Sequence, residues 1–164
     1  MTPTMPIVDL SAVPHHLPTL AAWHQAEWAY LNPGENLAMR IARMQAYLQD
    51  GLVPSTFVYE HRGQPVGSAA IVASDMDERP QWSPWLASVF VAPEFRRQGI
   101  GSRLVRHVMA QAAAAGHRHL YLFTPDQAAF YQNLGWQPIA EESYRGSRVS
   151  VMRALLASGS AAEP

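Results

Sequence analysis

The sequence predicts a single α/β (α+β) domain, because helix-like and strand-like patterns alternate along its 164 residues. With 48% hydrophobic residues, the chain is long enough for one core and short for two. The apolar run WLASVFVA, residues 85–92, indicates a central strand buried on both faces. Directly after it, apolar residues recur at helical spacing between Gly99 and Gly116. We therefore expect one domain over residues 1–157 and a flexible tail over 158–164.

The remaining elements follow from similar patterns. Helical spacing predicts two helices in the first third of the chain, the second ending at Gly51. Two β-rich runs around a glycine turn predict a hairpin, and the polar segment DMDERPQWSP predicts a loop. The predicted ranges are helices 17–31 and 36–50, strands 56–62 and 65–73, strand 117–123, a short helix in 125–135, and closing strands 136–144 and 147–155.

Composition argues against several classes of function. A net charge of −1 and a pI near 6.6 give no basic surplus for nucleic acid. No apolar run approaches the roughly 18 residues that a membrane helix needs, and no signal peptide is evident. The absence of cysteine excludes disulfides and thiolate chemistry, and the histidines lack a metal-binding spacing. We expect a soluble cytoplasmic protein without a metal.

The segment RRQGIG, residues 96–101, lies between the central strand and the long helix. No lysine follows its glycines, so it is not a nucleotide-hydrolase phosphate loop. Leu104 stands where a dinucleotide-binding fingerprint needs its third glycine. What remains is a helix N-terminus whose N–H groups, beside Arg96 and Arg97, can bind a pyrophosphate without magnesium. An ordinary loop turn is the competing interpretation.

Two segments resemble one enzyme family. VFVAPEFRRQGIGSRLV resembles motif A of the GCN5-related N-acetyltransferases, with Arg96, Gly99 and Gly101 at the signature positions. AAFYQNLGW resembles the later motif of the same family. Many members carry an asparagine upstream of the tyrosine, whereas this chain has Thr124-Pro125-Asp126 there. The resemblance is close over residues 85–138.

The resemblance implies a mixed, mostly antiparallel sheet flanked by helices, whose central strands splay apart to hold acetyl-CoA. Main-chain groups of Val89 and Val91 would pair with the pantetheine arm, which agrees with the ability of an unpaired strand edge to accept a β-like partner. The N–H groups of the glycine loop would bind the pyrophosphate. The cofactor-binding residues so implied are Val89, Phe90, Val91, Arg96, Arg97, Gln98, Gly99, Ile100, Gly101, Ser102, Thr124, Asp126, Phe130 and Tyr131.

Acetyl transfer to an amine needs an oxyanion donor, an acid for the leaving thiolate and a base for the ammonium. The resemblance implies a backbone N–H near Val89 for the oxyanion and Tyr131 as the general acid. The family often has a carboxylate on the central strand, where this chain has Ser88. Candidate bases are Glu27 and His24, three residues apart on the first helix, or the loop acids Asp75, Asp77 and Glu78.

The resemblance implies that the acceptor side is flanked by two regions of the chain, and tryptophans and acidic residues cluster in both. Aromatic and acidic walls suit a cationic amine, although core packing of the tryptophans is an equal alternative. We expect an acetyl-CoA-dependent N-acetyltransferase acting on a small-metabolite amine by direct attack in a ternary complex. The alternatives are a peptide or protein N-acetyltransferase and a non-catalytic acyl-CoA-binding module, and exposed strand edges are compatible with a homodimer. Expected substrate-binding residues are Trp28, Asp75, Trp85 and Ser88, and the clustered residues also include Trp23 and Trp82.

Overall fold

A computed structural model describes residues 6–157, which form one seven-stranded sheet with helices on both faces. The strands are β1 Ile7–Asp9, β2 Ser55–His61, β3 Gln64–Val72, β4 Trp85–Val91, β5 His119–Thr124, β6 Gln137–Tyr144 and β7 Ser147–Leu155. The helices are α1 Leu17–Trp28, α2 Leu37–Ala46, α3 Ile100–Ala114 and α4 Ala128–Gln132. Short 3-10 turns flank α1 and precede the glycine loop.

The sheet is mixed, with the order β1-β2-β3-β4-β5-β7-β6. Its β4–β5 pair is parallel and the other neighbouring pairs are antiparallel. This confirms the predicted fold class and the central position of β4. Within residues 6–157, no helix is long and apolar enough to cross a membrane. The predicted tail, 158–164, lies outside the described residues.

Alternating side chains of the sheet build hydrophobic packing on both of its faces. Phe57 on β2 belongs to the cluster that packs beneath α3, where Leu104, Val105 and Val108 are fully buried. Its neighbour Val58 belongs to the cluster under α1 and α2 on the opposite face. The sheet therefore separates α3 from the α1–α2 pair, and a ligand between β4 and β5 meets both layers.

Three details differ from the sequence-based expectation. Helix α2 ends at Ala46 instead of residue 50, because a local turn follows in which Gln49 Oε1 accepts from the Gly51 N–H and Gln49 Nε2 donates to the Gly51 carbonyl. Strand β1 was not predicted, because its three half-buried residues are too few to show the alternation of apolar and polar residues that marks a strand. The middle of β4 is half-buried and not enclosed on both faces, because it borders a cavity.

Candidate active site

The central strands β4 and β5 separate along their length. Within residues 6–157, β4 and β5 are paired at one position, where Trp85 lies opposite Tyr121. There the Tyr121 N–H donates to the Pro84 carbonyl at 3.1 Å. Beyond this point a cavity of about 610 Å³ opens, lined on one side by Leu86–Val91 and on the other by Leu122–Thr124. The open strand edges present backbone groups to the cavity, as a β-like ligand requires.

Strand β4 contains a β-bulge at the cavity. Ser68 pairs with Phe90 and Ala70 with Ala87, so Ser88 and Val89 together oppose a single residue of β3. Ser88 has a φ of 55°, a left-handed conformation that is uncommon for a non-glycine residue and typical of functional sites. The bulge redirects the main chain of Ser88 and Val89, which both line the cavity.

A buried side-chain relay supports the bulge. The Ser68 hydroxyl donates to the Ser88 carbonyl at 3.3 Å, and His24 Nε2 lies 2.9 Å from Ser68 Oγ. With the Ser68 proton directed to the Ser88 carbonyl, His24 Nε2 is assigned as the N–H donor to Ser68 Oγ. The unprotonated Nδ1 has no hydrogen-bond partner among residues 6–157. Burial, with a contribution from Arg40, lowers the pKa of His24 to about 3. His24 is thus neutral and weakly basic, which opposes its expected role as general base.

The glycine loop follows a left-handed backbone path into the start of α3. Gly99 has a φ of 83° and directly precedes α3, and Arg97 has a φ of 65°. A Cβ on Gly101 would lie 3.5 Å from the Phe130 ring and 3.6 Å from Val91 Cγ2, inside the cavity lining. Among the expected loop residues, Gln98 is exposed and does not line the cavity. Those that do are Arg96, Arg97, Gly99, Ile100, Gly101 and Ser102.

Arg96 turns back toward β4. Its Nε donates to the Val91 carbonyl at 2.8 Å, and its guanidinium lies 5.4 Å from the centre of the Phe90 ring. The Val91 carbonyl is therefore already engaged, whereas Val89 lies at the bulge on the open side of the strand.

Tyr131 lies on α4 and lines the cavity, as does Phe130 beside it. Burial, with a smaller contribution from Asp126, raises the pKa of the Tyr131 hydroxyl well above its ordinary value. The hydroxyl therefore stays protonated and can serve as a hydrogen-bond donor. Just upstream, Thr124 Oγ1 accepts from the Gln127 N–H at 3.0 Å and shapes the turn into α4, and both Thr124 and Asp126 line the cavity.

The expected acidic and aromatic wall is only partly present. Glu27, Trp28 and Asp75 line the cavity, but Asp77 and Glu78 are exposed outside it. Trp85 is fully buried in the core, where its Nε1–H donates to the Trp82 carbonyl and its ring packs against Tyr121. The structure does not bring Trp85 to the cavity, so its expected role in substrate binding is not supported. Trp85 can pack in the core because its single polar atom, Nε1, has a hydrogen-bond partner within the protein.

Trp23 and Trp82 also lie outside the cavity lining. The Trp23 ring packs on Phe90 at 5.3 Å, and Trp82 stacks on Tyr121 at 5.2 Å. The α1 side of the cavity therefore offers Trp28 as its aromatic surface.

The sequence analysis did not find a cluster of three arginines that lines one side of the cavity, called the cationic wall below. Arg40 and Arg43 on α2 line the cavity together with Tyr47, and Arg145 reaches it from the β6–β7 turn. One signal was present in the sequence: Arg40 stands four residues before Met44, on the apolar face of α2, and both are buried. A charged residue on the buried face of a helix needs a partner and commonly marks a site.

Asp75 lies within reach of this wall. Burial raises the pKa of its carboxyl to about 7, although Arg40, Arg145 and Arg43 all oppose the rise. Its solvent-accessible surface is that of a half-buried residue. Asp75 can therefore change its charge near neutral pH.

Comparisons with known proteins agree with this geometry. The model of the acetyltransferase (GNAT) domain matches residues 54–138, more than half of the chain. Mouse N-alpha-acetyltransferase 80 is 40% identical over 73 residues, which cover 42% of this chain and 23% of that protein, so the match spans under a quarter of the relative.

Solved structures share the fold at low identity. A Sinorhizobium meliloti phosphinothricin acetyltransferase of the GNAT superfamily, solved with acetyl-CoA, has a TM-score of 0.71 at 20% identity, covering 98% of this chain and 94% of its own. A Brucella melitensis ribosomal-protein-alanine N-acetyltransferase has a TM-score of 0.70 at 22% identity, covering 93% and 100%. Together with the domain match, the splayed strands and the glycine loop identify the chain as a member of the GNAT family of acetyltransferases.

Proposed function

We propose that this enzyme transfers the acetyl group of acetyl-CoA to the primary amine of a small metabolite, by direct attack in a ternary complex. The observation that carries the proposal is one continuous cavity. The divergent β4 and β5 edges, the glycine loop at the start of α3 and the Tyr131 side chain all open into it. The family match favours catalysis over a module that only binds acyl-CoA.

In this proposal the cofactor is held chiefly by main-chain groups. The pantetheine arm lies along β4, with Val89 as its principal partner because Arg96 engages the Val91 carbonyl. The pyrophosphate lies at the N-terminus of α3, where free N–H groups and the helix dipole favour an anion. Phe90, Gly101 and Phe130 give apolar or close backbone contact along the arm, and Thr124 and Asp126 stand beside it.

The chemistry follows from these positions. The neutral amine nitrogen attacks the thioester carbon, the carbonyl oxygen becomes an oxyanion, and a main-chain N–H at the Ser88–Val89 bulge stabilises it. The C–S bond then breaks and the electron pair leaves on sulfur. Tyr131 donates a hydrogen bond from its hydroxyl to that sulfur, and its raised pKa keeps the hydroxyl protonated before the step. As the general acid it gives this proton to the thiolate while the C–S bond breaks, and the proton that the amine loses, or one from solvent, restores the hydroxyl.

The base is assigned among the carboxylates that line the cavity. His24 is unsuited because its pKa is about 3. Glu27 is exposed on the same helix and reaches the cavity, and Asp75 ionises near neutral pH at the far wall. We propose Glu27, acting directly or through water, as the group that takes the ammonium proton, and Asp75 as an acceptor-side residue.

A second candidate function is peptide or protein N-acetylation. It is favoured by the 40% identity to mouse N-alpha-acetyltransferase 80 over 73 residues. Both candidates use the same cofactor site, so they differ only in what enters the acceptor end of the cavity.

The experiment is thermal unfolding with and without about 1 mM acetyl-CoA, paired with release of free CoA thiol over panels of small amines and peptides. We expect a higher midpoint with acetyl-CoA and thiol release with small amines. Arg97→Ala should lose most of the shift, whereas the matched control Arg106→Ala should keep it, because Arg106 is exposed on α3 and does not line the cavity. No shift in the natural protein would reject the proposed function, and turnover of peptides alone would favour the second candidate.

A further inference from the structure

The acceptor end of the cavity is richer in cations than its catalytic chemistry requires. Arg40, Arg43 and Arg145 all line it, next to Tyr47 and Asp75. A site for a simple cationic amine would be expected to carry the opposite charge, since like charges repel in a partly buried space. These arginines therefore need a separate explanation.

Two of the arginines share one counter-ion. Arg40 lies 3.2 Å from Glu35 Oε1, and Arg43 pairs with Glu35 Oε2. Glu35 is buried, with a side chain only 5% exposed, so one positive charge in this trio is not neutralised. Arg145 pairs with Asp77 at 3.1 Å, but that carboxylate is 81% exposed and contributes little in water.

Arg40 is the deepest of the three. Its side chain is 8% exposed, and its Nε has no hydrogen-bond partner among residues 6–157. Its charge adds to the effect of burial in lowering the pKa of His24, and it opposes the rise that burial causes in the pKa of Asp75. Glu35 pairs with one end of this guanidinium, but a buried donor without a partner is costly, so the free Nε leaves Arg40 able to bind a further acceptor group.

We propose that the acceptor carries a carboxylate, and that Arg40 and Arg43, assisted by Arg145, bind it while the amine faces the β4 bulge. This rests on the proposed function and narrows its substrate to small amino acids. Guanidinium groups match a carboxylate with paired N–H donors, and one such anion would neutralise the surplus charge that Glu35 leaves.

The other groups on this wall agree with a carboxylate ligand near neutral pH. Asp75 is the carboxyl that faces all three arginines, and its raised pKa leaves much of it protonated at pH 7. In that form it can donate a hydrogen bond to a bound carboxylate, and Tyr47 can do the same. When Asp75 ionises, it competes with the ligand for the arginines, so acid acceptors should bind less well as the pH rises above 7.

The test compares matched acceptors. The natural protein with acetyl-CoA is assayed for thiol release with the free standard amino acids, with the carboxamide of each one that reacts, and with the corresponding amine lacking the carboxylate. Binding of the same compounds to the protein with CoA is measured by calorimetry. We expect kcat/KM to fall by about tenfold or more from acid to carboxamide, mostly through KM.

Variants assign the effect to the wall. Arg43→Gln should remove most of the preference for acids over carboxamides, and it should leave the fold intact because the Arg43 side chain is 44% exposed. Arg40→Gln should reduce that preference further. Arg148→Gln is the matched control, since Arg148 forms an exposed ion pair with Glu141 and does not line the cavity. If Arg40→Gln fails to fold, the comparison of Arg43→Gln with Arg148→Gln still tests whether the arginines bind the carboxylate.

The outcomes separate the two proposals. If acetyl-CoA raises the midpoint but no free amino acid is bound or acetylated, the carboxylate inference is overturned and the proposed function stands. An equal or better rate with carboxamides, or an unchanged preference in Arg43→Gln, overturns it as well. The proposed function itself fails if acetyl-CoA gives no stabilisation, or if peptides alone are turned over.

Discussion

The two ends of the cavity are lined by different kinds of group, main-chain groups at one end and charged side chains at the other. The cofactor end consists of two strand edges, a bulge and a helix N-terminus, so the groups that it offers to acetyl-CoA are mainly main-chain N–H and C=O groups. The acceptor end consists of charged side chains on α1, α2 and the β6–β7 turn. A main-chain site leaves a short motif in the sequence, whereas a side-chain site assembled from distant elements leaves none.

The difference also separates binding from selection. Main-chain groups can hold the same cofactor in many sequences, because they need only the right backbone path. The acceptor end can change its ligand by exchanging one arginine or one acid, with no change in the fold. Substitutions at the cofactor end should therefore change the rate of turnover. Substitutions at the acceptor end should change which acceptor is used or how the protein responds to pH.

The largest expected effect is at Tyr131, the side chain at the cofactor end that we propose as the general acid for the leaving sulfur. Tyr131→Phe should lower kcat by about 100-fold, because general acid and hydrogen-bond assistance contributes on that order. Stabilisation by acetyl-CoA should remain, since the proposed contacts to the pyrophosphate and pantetheine are made by main-chain groups. Steady-state kinetics and thermal unfolding check both statements.

Tyr121→Phe is the matched control for that variant. Both tyrosines are 8% exposed, but Tyr121 stacks on Trp82 in the core and does not line the cavity. Its loss of a hydroxyl should leave kcat unchanged. A Tyr131→Phe enzyme with normal kcat would mean that the ring only packs α4 against the sheet.

The contrast explains how much could be predicted from the sequence. The element order, the central place of β4 and the glycine loop before α3 were all readable, because local periodicity and glycine chemistry determine them. The C-terminal limit of α2 was misplaced, since Gly51 is used by the Gln49 turn and not by the helix end. Strand β1 is too short to show a pattern.

The site divides in the same way. Tyr131, Gly101 and Ser88 were found through motifs or strand position, and all three line the cavity. Arg40 and Arg145 come from elements more than one hundred residues apart in the chain, and only the folded sheet brings them to one wall. Trp85 was misassigned because composition cannot tell a buried indole from one that faces a ligand.

A smaller effect is expected where the two ends meet, at the His24–Ser68–Ser88 relay. Ser68→Ala removes the hydroxyl that donates to the Ser88 carbonyl and meets His24 Nε2. We expect kcat to fall by about tenfold, because the bulge that positions the oxyanion donor loosens, with KM for acetyl-CoA nearly unchanged. Steady-state kinetics with varied acetyl-CoA separates kcat from KM.

Ser55→Ala is the appropriate comparison for Ser68→Ala. Ser55 is also buried and donates to a backbone carbonyl, that of Gly51, at 3.0 Å, but it does not line the cavity. Ser55→Ala should lose about 1 kcal/mol of unfolding free energy, the usual value of one such bond, and Ser68→Ala should lose more, because it also leaves His24 Nε2 without its partner. If their kcat values match, the relay contributes to stability and not to positioning.

The smallest expected effect is the pH response of the acceptor end. The pKa of Asp75 is about 7 in the folded protein against an ordinary 3.8, so between those pH values the folded chain holds a proton that the unfolded chain has released. The contribution of Asp75 to the free energy of unfolding therefore falls as the pH rises through this window and levels off above 7.

The variant Asp75→Asn isolates that response, because the titrations of His24 and of the other groups are common to both proteins. Urea unfolding at pH 5 and pH 8 should show the variant gaining on the order of 1 kcal/mol relative to the natural protein. This is well below the full value of the pKa shift, because water reaches the half-buried carboxyl. Stabilisation by acetyl-CoA should not differ, since the cofactor end has no part in this titration. A difference that stays constant with pH would show that the three arginines keep Asp75 ionised, and the acceptor wall would then carry less surplus positive charge than a carboxylate ligand requires.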